Sequence, residues 1–302
     1  MNTENMTHNE WLAARQKGIG GSDAGAILGL NKWRTPLDVY LDKIGKAEPI
    51  EDNAPMYWGR QLEDIVAQEY SIRTGNKIEE IKEILVHPKY DFVLANLDRN
   101  LIGRKGILEC KTAARPTGWG EDGSDQVPES YLAQVMHYMA VTGSEFADVA
   151  VLIGGNDFRI YHIERDNEVI DMIMDRENNF WHENVLAKVA PDPMNASDVN
   201  HLWPQDDGET DFASNVIIEN IEEIKDIKQR ISNLKKVETA LTNQVKESMG
   251  ELSGVTDSAG KILATWKTRK SMRLDTKRLK VEQPEVYNQY VVESSNRTFL
   301  TK

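Results

Sequence analysis

Asp98 is followed, eleven positions on, by Glu109-Cys110-Lys111. Two carboxylates brought together can hold a hard divalent cation, which prefers oxygen ligands, and the Cys110 backbone carbonyl can add another. A cation so held polarises a phosphate ester and lowers the pKa of a bound water. An ammonium such as that of Lys111 orients the water and offsets charge developing on the phosphorus. A lone D…ExK is usually a charged pattern on a solvated hairpin, so the reading depends on what must surround it.

Positioning comes from two strands. Phe92 to Asp98 and Gly106 to Thr112 are rich in Val, Ile and Leu and are separated by turn residues, which predicts a pair ending and beginning near the motif. Strand residues two apart share a face, so Glu109 and Lys111 project together, and a hairpin would bring Asp98 beside them. Met56 to Thr74 is predicted as a helix ended by Gly75. On it Glu63 shares a row with Gly59, Val66, Ala67 and Tyr70, an acid on an otherwise small and apolar face and hence a further metal or water ligand. Pro128 to Thr142 is a second helix on which Gln134 and Tyr138 lie four apart, placed to hold a phosphate or fix Lys111; the plainer reading is a core Tyr138 and a surface Gln134. His137 between them reads as structural. Near the start, Arg15 and Ser22 flank Gly18-Ile19-Gly20-Gly21. Ser22 or Asp23 is expected to cap the helix that follows, and a guanidinium beside exposed amides would suit a terminal phosphate.

The wider order is helices, a strand at Ile81 to His87 and the two strands above, a helix, a hairpin turning at Gly154-Gly155-Asn156-Asp157, and a long amphipathic helix over Asn167 to Val189. This predicts an α/β fold with a central mixed sheet flanked by helices. The chain of 302 residues divides into a body at 1–193, a Pro, Gly and acid-rich linker at 194–213, and a C-terminal part at 214–302. Ser214 to Met249 carries Ile217, Ile221, Ile224, Ile231, Leu234, Leu241 and Val245 in a heptad-like stripe. A helix of that length would be roughly 50 Å long. The segment after Gly260 is basic.

Composition sets limits. The net charge of −13 argues against a broadly basic DNA-binding surface and leaves positive charge to a local channel. Cys110 is the one cysteine, so a disulfide within the chain is impossible and a cysteine-based zinc site is not expected. No apolar run approaches a membrane span and the first ten residues hold no signal-peptide core, so a cytoplasmic protein is expected.

Together, Trp11…Arg15…Gly18-Ile19-Gly20-Gly21-Ser22, Trp58-Gly59-Arg60-Gln61-Leu62-Glu63, Ala95-Asn96-Leu97-Asp98, Leu108-Glu109-Cys110-Lys111-Thr112 and Tyr131-Leu132-Ala133-Gln134-Val135-Met136-His137-Tyr138 resemble the YqaJ-like viral recombinases, the family of phage lambda exonuclease, within the PD-(D/E)XK nuclease superfamily. The resemblance implies a restriction-endonuclease-like fold and an Mg²⁺-dependent enzyme, with Mn²⁺ as a possible substitute. It implies Asp98 and Glu109 as metal ligands, Lys111 as the catalytic lysine, Glu63 and Gln134 as further active-site residues, and Arg15 and Ser22 near a 5′-phosphate pocket. It also implies digestion of one strand of linear double-stranded DNA from its 5′ end, a ring-shaped homotrimer, and a single-strand annealing protein as partner in phage recombination. The resemblance departs at Leu97-Asp98-Arg99, where many superfamily members carry Pro-Asp-Gly; Arg99 is expected to contact DNA or alter the turn. The part at 214–302 has no counterpart in the smaller relatives. An endonuclease of restriction or repair type shares the same metal chemistry, and a non-catalytic DNA-binding or interaction module is the alternative of another class.

Overall fold

The computed structural model describes residues 2–4, 6–48, 52–293 and 295–302. In chain order the elements are α1 (His8–Gln16), β1 (Ile19–Gly20), α2 (Gly21–Ile27), α3 (Pro36–Lys43), α4 (Ala54–Thr74), β2 (Ile78–Glu79), β3 (Leu85–Val86), β4 (Val93–Ala95), β5 (Arg99–Leu101) and β6 (Gly106–Ala113). They continue with α5 (Glu129–Thr142), β7 (Phe146–Ile153), β8 (Asp157–Glu164), α6 (Asn167–Asn179), α7 (Ala196–Leu202) and α8 (Asn215–Met249). The last are β9 (Gly254–Thr256), β10 (Ile262–Thr265), α9 (Thr276–Glu282) and α10 (Pro284–Gln289). The chain separates into two compact units at Val199/Asn200, inside the stretch read as a linker. That stretch is not wholly a linker. Within the first unit Asp198 is buried, accepting from the Thr35 hydroxyl at 3.1 Å and the Met194 N–H at 2.9 Å.

The first unit is built on a mixed sheet ordered β2-β5-β6-β7-β8. β6 and β7 run parallel over their whole length, and the other pairings are antiparallel. Such a parallel pair needs a crossover, and α5 supplies it. One face of the sheet is covered by α4, whose Val66, Ala67 and Tyr70 pack with Leu101, Leu108, Cys110, Phe146, Ala150 and Phe158. Fully burying a large apolar side chain there contributes about 1.5–3 kcal/mol. α4 forms where expected because Asn53 caps it, accepting from the Met56 N–H at 3.0 Å, and Gly75 ends it at φ 72°. The Glu109 side chain points to the opposite face, towards α5.

The strand expected to run from Phe92 to Asp98 is shorter, ending at Ala95. β4 belongs to a small separate sheet ordered β1-β4-β3, whereas β5 begins only at Arg99 and joins the large sheet. Of the strand expected over Ile81 to His87, Leu85–Val86 pairs with β4, and Glu83 adds an isolated bridge to Asn2. The helix expected to Val189 keeps its α form to Asn179 and continues as a π-helical segment over Phe180–Leu186. His137 is structural: fully buried, it joins Glu177 of α6 through Nδ1 at 2.8 Å and the Leu94 carbonyl of β4 through Nε2 at 2.8 Å.

The second unit holds α8, which spans 35 residues as the heptad pattern predicts, and the hairpin β9–β10. Ile217, Ile231, Leu234, Leu241 and Val245 of its stripe are exposed. No helix among the described residues is long and apolar enough to cross a membrane.

Candidate active site

β5 and β6 pair with Arg99 opposite Leu108, so Asp98 falls beside Glu109 and Cys110 at the point where β5 starts. There the Cys110 N–H, with no strand partner on that edge, donates to Asp98 Oδ2 at 2.8 Å. A strand residue's N–H and C=O leave by the same edge, so the Cys110 carbonyl faces the Asp98 side as well. Lys111 Nζ donates to Glu109 Oε1 at 2.5 Å and lies 4.8 Å from the centre of the Tyr131 ring, a cation–π contact that sequence reading missed. Gln134 Nε2 reaches the same Glu109 oxygen at 2.7 Å and the Tyr138 hydroxyl at 3.0 Å. Gln134 is buried, not on the surface, and it fixes Glu109 rather than Lys111. Asp98, Glu109, Lys111 and Gln134 are thus brought together.

The electrostatics follow from burial. Desolvation, and then the facing charge of Glu109, push the Asp98 carboxyl up to about 7. Desolvation works against the Lys111 ammonium, but Glu109 and Asp98 outweigh it and hold Lys111 above the ordinary lysine range. Lys111 is paired to Glu109, and the Asp98 carboxyl beside them is left under-compensated. Among the described residues no cluster of three or more His, Cys, Asp or Glu side chains could hold a metal. What the fold offers a divalent cation is two carboxylates, a backbone carbonyl on the same edge and unsatisfied negative charge, which is the donor chemistry Mg²⁺ takes while keeping several waters.

Glu63 sits one step away. Its Oε1 accepts from Arg99 Nη1 at 2.8 Å, and burial followed by the Asp98 charge raises its pKa. Arg99 also pairs with Asp64 and with the Asp98 carbonyl. Arg99 is buried, and its guanidinium ties Glu63 and Asp64 of α4 to the start of β5.

Arg15 and Ser22 do meet, Nη2 to Oγ at 2.6 Å, with the guanidinium stacked 4.7 Å over Trp11. The amides of Gly18 to Gly20 are already taken, however: the Gly18 N–H donates to the Arg15 carbonyl at 3.3 Å. The Ile19 N–H is taken by the Phe92 carbonyl at 2.7 Å and the Gly20 N–H by Asp23 Oδ2 at 3.0 Å. A side chain at Gly18 or Gly21 would meet the Phe92 carbonyl or the Tyr138 ring at 2.3 Å, so close packing requires these glycines. Gly20 is the N-cap of α2, and Asp23, three residues into the turn, reaches back to it. Asp23 is fully buried and also holds Arg34 and Lys43, the latter at 2.8 Å. Burial raises its pKa, but Lys43, Arg34 and Arg15 prevail and hold it well below the carboxylate range. No sequence signal links Asp23 to Arg34 or Lys43, because only the folding of α2 against α3 places them together.

Residues 10–145 match the model of the YqaJ-like viral recombinase domain. The chain is 43% identical to the protein YqaJ of Bacillus subtilis (strain 168) over 304 residues, covering 97% of this chain and 94% of the relative. Among solved structures it is similar to the alkaline exonuclease LHK-Exo of Laribacter hongkongensis, with TM-score 0.49, 22% identity, and 60% of this chain and 94% of that one covered. It is also similar to a phage related exonuclease from Haemophilus somnus 129PT, with TM-score 0.44, 14% identity, and 57% of this chain and 96% of that one covered.

Proposed function

This chain belongs to the YqaJ-like viral recombinase family, and on that premise we propose that it is a magnesium-dependent exonuclease that digests one strand of linear duplex DNA, 5′ to 3′, for phage-type recombination. The observation that carries the reading is the meeting of Asp98, Glu109 and Lys111 at the open edge of β6, with more buried acid than the neighbouring cations offset. Asp98, Glu109 and the Cys110 carbonyl would hold the cation, with Glu63 close enough to serve a bound water. Mg²⁺ there supplies a polarised phosphate and a more acidic water. The chain's own residues do the rest. Glu109 is oriented for this by Gln134, which is itself held by the Tyr138 hydroxyl. Lys111 sets its ammonium against the reacting phosphate, in a site dry enough that fixed charge counts for several kcal/mol.

The pair Arg15–Ser22 is the reading's 5′-phosphate pocket. Arg15 can donate to a phosphate through two N–H groups, whereas Arg34 and Lys43 are balanced by Asp23 and Asp42. Linear duplex with 5′-phosphate ends is therefore expected to be degraded in Mg²⁺ while covalently closed circles persist. Arg15→Ala should weaken digestion of 5′-phosphorylated ends by about tenfold and of 5′-hydroxyl ends much less, since a charge-assisted hydrogen bond contributes about 1.5–3 kcal/mol. Nicking of closed circles would instead make the enzyme an endonuclease, and tight DNA binding without hydrolysis in Mg²⁺ or Mn²⁺ would leave a binding module.

A homo-oligomer, a trimer by the family pattern, would act beside a single-strand annealing protein. The exposed stripe of α8 supports a helical contact with another subunit or that partner, because Ile231, Leu234, Leu241 and Val245 recur at heptad spacing on a solvated helix. A chain ending at Pro204 should lose oligomer mass or partner capture. If mass, digestion and capture are all unchanged, the second unit has no such role.

A further inference from the structure

Trp33 is the most exposed of the chain's seven tryptophans, at 84%. It is not a side chain stranded on a loose loop. The segment 28–35 between α2 and α3 is fastened at both ends. The Gly25 carbonyl accepts from the Leu30 and Asn31 N–H groups at 2.8 and 3.1 Å. Asn31 Oδ1 accepts from the Trp33 N–H at 2.8 Å. The next residue, Arg34, is clamped between Asp23 and Asp42, and Thr35 caps α3. The backbone thus presents the indole outward from a fixed position, so binding a ligand there would cost little ordering entropy.

The surroundings say what ligand. Lys32 Nζ lies 5.0 Å from the indole ring centre, so the aromatic surface has a cation beside it, while Arg34, next in the chain, is held by Asp23 and Asp42. Arg34 shares Asp23 with Lys43, and Ser22, which pairs with Arg15, is the residue before Asp23. Trp33 thus precedes, by one residue in the chain, the arginine that meets Asp23, and Asp23 in turn follows Ser22. An aromatic face with a cation beside it is what single-stranded nucleic acid offers its base and phosphate to.

We propose that Trp33 is a stacking platform for the 5′-terminal nucleobase of the DNA end, whose phosphate lies at Arg15 and Ser22. This rests on the DNA-end reading of that pair and adds a base-contacting residue to it. Lys32 then meets the adjoining backbone phosphate, and Trp33 holds the first base away from its complement.

The test is a cycle between protein and DNA. Full-length protein carrying Lys111→Ala, so that ends are not consumed, is titrated in Mg²⁺ with 5′-phosphorylated duplexes whose first nucleotide is natural or abasic. With Trp33 in place, loss of the base should weaken binding about fivefold to a hundredfold, the range of one stacked base. With Trp33→Ala that penalty should vanish, and with Trp33→Phe most of it should return. An equal abasic penalty with and without Trp33 overturns the stacking role, as does a changed oligomer mass on Trp33→Ala, which would make the indole a subunit contact. If the protein binds none of these ends, the DNA-end reading itself falls, a result separable from normal binding that ignores the base.

Discussion

Replacing Lys111 by alanine should lower digestion of linear duplex by about a thousandfold, the upper range for removing one preorganised electrostatic donor, while DNA binding changes only a few-fold. The ammonium is fixed by Glu109 at 2.5 Å and by the Tyr131 ring at 4.8 Å, and it is 19% exposed. A charge already aimed and already dry costs no reorganisation as the phosphate reacts, which is why its loss should appear in kcat rather than in KM. Lys111→Gln separates charge from hydrogen bonding: it can still donate to Glu109 yet should be nearly as inactive. The fold carries a second consequence. Without the ammonium, Glu109 keeps only Gln134 and the buried acids lose their main compensation. Breaking one side of such a pair costs roughly 3–5 kcal/mol, so Lys111→Ala should melt earlier, and Glu109→Gln in the same chain should restore part of the loss. Single-turnover digestion with circular dichroism melting reads both effects. Full activity in a folded Lys111→Ala protein would remove the catalytic reading.

Local regularities make the core of the site legible in the order of residues alone. The two-residue repeat of a strand sets Glu109 and Lys111 on one face, and the four-residue repeat of a helix sets Gln134 over Tyr138; both are geometric necessities once the element type is known. Glu63 is visible as an acid on an apolar row. Its restraint by Arg99 is not, because a long side chain reaching from β5 to α4 leaves no periodic trace. The break between β4 and β5 is hidden for a related reason. Phe92 to Leu97 reads as one strand because its apolar residues are buried at both ends, although the pairing with β1 and β3 stops at Ala95 and the chain joins the large sheet only at Arg99. The glycine turn misleads as to its use. Its glycines mark close approaches to Phe92 and Tyr138, residues far along the chain, and Asp23 looks like a cap when it is also the anchor of Arg34 and Lys43.

In the absence of divalent cation the protein should lose stability as pH rises from about 4 to about 7, and Mg²⁺ should restore it only towards the upper end. The Asp98 carboxyl, ordinarily at 3.8, is pushed up to about 7 by its burial and by Glu109. Below about pH 4 it is protonated in the folded and unfolded chain alike and contributes no difference. Between the two values the folded protein still holds a proton that the unfolded chain has released, so each rise in pH favours unfolding. Above about 7 both forms are ionised and the whole penalty remains, about 4 kcal/mol at 1.36 kcal/mol per unit. For a chain of this size that is a fall in Tm on the order of 10 °C. A divalent cation binds the ionised acids, so it competes with the proton: its stabilisation should be large at pH 8 and small at pH 5.5. Digestion should rise through the same interval, because the ligand set is complete only once Asp98 is ionised. Asp98→Asn isolates the effect from every other titrating group, since it should flatten this part of the pH slope and abolish most of the Mg²⁺ shift together. Melting curves of both proteins with EDTA and with Mg²⁺, at the two pH values, decide it: a slope unaltered in Asp98→Asn, or a Mg²⁺ shift as large at pH 5.5 as at pH 8, would show that Asp98 neither carries the proton nor holds the cation.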